Sequence, residues 1–141
     1  MQNLLRILPR ILLAAAFVTF GGMKIYWSTE RDHESIAGPT WATWMLSREF
    51  LLAVAWFEVT TGLLLLLRWT IYSASAAFAV CLGLALFSLV MSLGGISIER
   101  CGCLGAYRMG NTEHWILIYG VILLFIASLL SERASGLMVE P

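Results

Sequence analysis

Charge is scarce in this chain: only 13% of its 141 residues are Asp, Glu, Lys or Arg, about half the share of an ordinary soluble domain. The formal net charge is zero and no run of one sign occurs, which argues against nucleic acid as a partner, since phosphate binding draws on clustered basic residues. Low-complexity tracts and internal repeats are also missing, and long polar connections are few. The chain therefore reads as one domain over residues 1–141. The 3.6-residue apolar stripe of a surface helix is absent as well. Hydrophobic residues, 60% of the total, fall in blocks instead.

Four of these blocks approach the 20 or so apolar residues that span a bilayer. They run approximately over 8–27, 50–67, 71–98 and 114–130. In lipid the backbone must satisfy its own hydrogen bonds, so such segments are helices. The expected fold is an all-α integral membrane protein, a bundle of four transmembrane helices with the lipid bilayer as its surroundings. Arg6 and Arg10 followed by ILLAAAFVTF have the basic and apolar parts of a signal peptide. The apolar stretch continues, however, to the aromatic pair Tyr26 and Trp27, which suits a retained helix with an interfacial anchor.

Four crossings place both termini on one face. The 28–49 connection and the connection after the third span then share the other. Arg6 and Arg10 are expected directly before the first helix, and positive flanks stay inside. The expectation is cytoplasmic termini, with the later connection periplasmic or extracellular. Gly94 and Gly95 offer an early end to the third span. Ser75, Ala79 and Gly83 repeat at four-residue spacing, the small-residue ridge that lets membrane helices pack closely. Trp41, Trp44 and Met45 lie at helical spacing after Pro39, as an amphipathic helix on the interface or a docking surface would have them.

The connection after the third span carries IERCGCLGAYRMG, with Cys101 and Cys103 around Gly102. Glycine lets two side chains one residue apart turn toward each other. A disulfide there closes a small, poorly shaped ring, and strain makes such a bond easier to reduce. It suits electron transfer better than stapling. Arg100 and Arg108 favour the reactive thiolate while Glu99 opposes them. Inert surface cysteines are one alternative reading. Another is a metal site of Cys101, Cys103, His114 and His33, a two-Cys, two-His set that would make the protein a heavy-metal binder or transporter. His114 is more simply an interfacial residue beside Trp115. Cys81, mid-span, is expected to be a buried apolar residue.

Glu58 is the one acid expected inside a span, and an intramembrane acid needs a partner. Lys24 near the end of the first helix is within reach through its flexible stem. Such a pair either locks the bundle or carries protons beneath the cysteines.

These features together resemble the MauE/DoxX-like family of redox-associated membrane proteins, and its MauE branch in particular. The likeness rests on Arg10 before the first helix, Gly21, Gly22 and Lys24 at its end, Glu58 followed by Gly62, and Cys101-Gly102-Cys103-Leu104-Gly105. The family motif has phenylalanine where Leu104 stands. The resemblance implies a four-helix inner-membrane protein. In the methylamine utilisation type, such a protein is needed to produce the disulfide-rich small subunit of methylamine dehydrogenase, alongside a thioredoxin-like partner. The expected function is thiol–disulfide exchange through Cys101 and Cys103, supported by Glu58, Lys24, Arg100, Gly102 and Gly105. A non-redox assembly factor is the remaining alternative. No cofactor is evident; a quinone or a second thiol protein could complete the circuit, but no quinone-site motif is readable.

Overall fold

In the computed structural model the described residues are 2–30, 44, 47–67, 70–94 and 111–134. They form four long helices: α1 (Gln2–Glu30), α2 (Arg48–Leu67), α3 (Ile71–Leu93) and α4 (Asn111–Ala134). Among the described residues there is no strand. Each helix contains a stretch long and apolar enough to cross a membrane. Side chains that would be unstable in water point outward, Leu67, Ile71, Phe78, Ile116 and Leu123 among them. Facing lipid, they cost nothing to expose.

Local chemistry sets the helix ends. Thr70 caps α3: its Oγ1 accepts from the Ser73 amide at 3.2 Å, while Ser73 Oγ accepts from the Thr70 amide at 2.8 Å. This reciprocal box satisfies two amide donors that the first turn would otherwise leave bare. Only residues 68–70 separate α2 from α3, so the two helices must run antiparallel. At the far end α3 stops at Leu93 with Gly94 as its cap, five residues before the expected boundary at 98. The apolar run outlasts the helix because hydropathy does not register where the backbone turns. Pro9 lies inside α1, where a helix can continue if neighbouring groups take up the freed carbonyl.

The helices pack in chain order and close on themselves: α1 meets both α2 and α4, and α3 meets α2 and α4. The α1–α2 contact is the most extensive, for a steric reason. A Cβ added to Gly21 would lie 2.7 Å from the Ala55 carbonyl oxygen. One added to Gly62 would lie 2.9 Å from that of Ala14. Backbone meets backbone at two levels, which only glycine permits. The core between the helices is built from Leu13, Ala14, Phe17, Leu65, Ala77, Val80, Val121 and Phe125, with Cys81 among them as expected.

The expected small-residue ridge does not act as one. Ser75, Ala79 and Gly83 are exposed, and nothing lies within 4 Å of a Cβ built on Gly83. That face of α3 borders open space, and the close approach belongs to α1 and α2. Arg10, expected before the first helix, lies within α1.

Candidate functional site

Lys24 and Glu58 meet in the half of the bundle that faces the two longer connections. Lys24 sits on α1, six residues before its end; Glu58 is ten residues into α2, about 15 Å along it at 1.5 Å per residue. Lys24 Nζ donates to Glu58 Oε1 at 2.5 Å, and the two residues are 4% and 1% exposed. An unpaired charge at that depth would be costly, and the contact neutralises both. Glu58 Oε2, also buried, has no hydrogen-bond partner among the described residues.

His114 is the fourth residue of α4 and is buried, 5% exposed, which corrects its reading as an interfacial side chain. Its Nε2 lies 2.9 Å from Ser88 Oγ on α3. It also stands within electrostatic reach of Lys24. All four helices thus contribute one polar side chain to the same half: Lys24, Glu58, Ser88 and His114. Ser88 escaped the sequence reading because a serine in LALFSLVM looks like a tolerated small polar residue; its partner identifies it.

At the other end of the bundle, Arg10 Nη1 donates to Glu132 Oε1 at 3.3 Å, joining the start of α1 to the end of α4. The sequence shows these only as charges on the same face. Their pairing depends on α1 and α4 being neighbours.

The remaining expected site residues, Cys101, Gly102, Cys103, Gly105, Arg100 and His33, lie outside the described residues, as do Trp41 and Met45. Trp44 is described. It is exposed, with its ring centroid 5.0 Å from that of Phe50 at the entry to α2. Of the four side chains in the metal alternative only His114 is described. Among the described residues no cluster of three or more His, Cys, Asp or Glu could hold a metal ion.

Four lipid-facing helices, tied internally by ion pairs at two depths, define a multi-pass membrane protein of the four-helix bundle class. Residues 1–131 match the family described as methylamine utilisation protein MauE, and the chain belongs to that family. No curated protein and no solved structure matches it.

Proposed function

We propose that this protein is a membrane thiol–disulfide component that exchanges electrons with a thioredoxin-like protein outside the cytoplasm, and so supports disulfide formation in an exported protein. The observation that carries this reading is the position of Cys101-Gly102-Cys103. The pair lies in the connection between the end of α3 at Leu93 and the start of α4 at Asn111. The third cysteine, Cys81, is sealed in the core. One loop cysteine forms a mixed disulfide with the partner and the other resolves it. Each disulfide that opens in one protein closes in the other, so two electrons and two protons pass between them. Membership of the MauE family supports a role in methylamine utilisation. The narrowest form of the proposal makes the small subunit of methylamine dehydrogenase the client.

The test is labelling of intact cells with a membrane-impermeant thiol reagent, before and after mild reductant. The expected result is labelling of Cys101 and Cys103 after reduction only, with Cys81 silent throughout. Labelling confined to broken cells would reverse the orientation. A Cys101→Ser, Cys103→Ser double variant that matures its client normally would remove the cysteines from the function altogether.

A further inference from the structure

The Ser88–His114 contact joins the two helices that flank the connection carrying Cys101 and Cys103. Ser88 lies near the end of α3 at Leu93, and His114 near the start of α4 at Asn111, each within about two helical turns of that end. Both residues are buried, 1% and 5% exposed, and His114 Nε2 is 2.9 Å from Ser88 Oγ. The surroundings of the imidazole limit the charge it can carry. Of the helices packed on α4, α1 brings the charge of Lys24 within reach. The other, α3, brings Ser88 and has no Asp, Glu, Lys or Arg along its length. Glu58 on α2 is already engaged by Lys24 through Oε1. On α4 itself the neighbouring Glu113 is exposed. No carboxylate among the described residues pairs with His114. A neutral imidazole fits this place, because Nε2 can accept the Ser88 hydroxyl proton or donate to its oxygen. An imidazolium does not fit: it would bury a second cation near Lys24 without a counter-ion of its own.

We propose that this contact is a proton-sensitive latch, closed while His114 is neutral and opened when His114 takes up a proton, so that α3 and α4 part at the ends flanking the cysteine connection. Both partners have an alternative once the latch opens. The charged ring needs to travel only about one helical turn, some 5 Å, to leave the start of α4 for water. Ser88 can turn its hydroxyl back to the carbonyl four residues earlier in α3, as serines within helices do. Opening therefore strands no polar group, whereas staying closed strands a charge. The sign follows from this. The latch is shut at the alkaline end of the range in which histidine titrates, about pH 5 to 8, and opens as pH falls through it. It is built from the helices alone and holds whether or not the cysteines exchange electrons.

The experiment follows amide hydrogen exchange of the full chain in phosphatidylcholine nanodiscs at about pH 8 and pH 5, corrected for the intrinsic effect of pH on exchange. Peptides covering the end of α3 and the start of α4 should lose protection at the lower pH by about tenfold or more, as local opening driven by a titrating group would produce. Peptides in the middle of α2 should change little. His114→Leu fills the same place without a titrating group and should stay protected at both pH values. His33→Gln leaves His114 as the sole histidine, so the ring carbon signal in its NMR spectrum reports titration directly. Its midpoint should coincide with the loss of protection. Protection in the unaltered chain that does not change between the two pH values overturns the proposal. So does a folded His114→Leu chain that still opens in acid. Melting temperature and helix content at the higher pH show whether that variant is folded. If it is not, the His33→Gln chain gives the answer: coincident midpoints uphold the latch, and any other result overturns it.

Discussion

Lys24 is the chain's only lysine and Glu58 the acid it pairs with, and their contact explains why two charges persist within apolar helices. Removing one partner strands the other. Glu58→Gln should lower both the melting temperature and the amount of protein in the membrane. The cost expected for breaking a buried pair is roughly 3–5 kcal/mol. The double variant Lys24→Met, Glu58→Leu should recover much of that loss, because no charge remains to be desolvated. If Glu58→Gln instead accumulates normally and only thiol exchange is lost, the pair handles protons and does not hold the bundle. The pairing could be anticipated from sequence because an acid that deep in a span has few cationic candidates within reach. The Ser88–His114 contact could not, since neither residue demands a partner so strongly.

At the scale of helices, the α1–α2 contact is the most extensive among the described elements, because Gly21 and Gly62 let the two backbones touch. Gly21→Ala and Gly62→Ala should each lower the thermal stability of the purified protein by the equivalent of about 1–3 kcal/mol, as overpacking does. Gly22→Ala is the internal control. Nothing lies within 4 Å of a Cβ there, so alanine's better helix propensity should leave stability unchanged or slightly raised. Equal losses at all three positions would refute the close-approach account. The same sequence logic assigned close packing to Ser75, Ala79 and Gly83, and the assignment failed. A small-residue spacing shows that a helix face permits contact; it does not show that a neighbour occupies it.

For the whole molecule, the bundle is closed by a contact far apart in sequence. Arg10 and Glu132 pair across α1 and α4 near the end that carries both termini. Arg10→Glu or Glu132→Arg alone places like charges together in a partly buried site and should reduce melting temperature and accumulation. Combining them should restore a substantial part of both, since the exchanged pair can re-form. Failure of the combination to recover anything beyond the worse single variant would count against α1 and α4 being neighbours at this end.

The sequence by itself determined the number of spans, their approximate bounds, the antiparallel course of the chain and the need for a partner at Glu58. These follow from local quantities, namely apolar length against bilayer thickness and the cost of a lone charge in hydrocarbon. Tertiary structure decided which faces of the helices meet. It placed Gly21 and Gly62 in backbone contact, turned His114 inward to Ser88, and left the Ala79–Gly83 face of α3 beside open space. Hydropathy is nearly uniform around α2, α3 and α4, so there it carries little information about rotation. The rotation was set by shape and by polar partners, which exist only once all four helices are assembled.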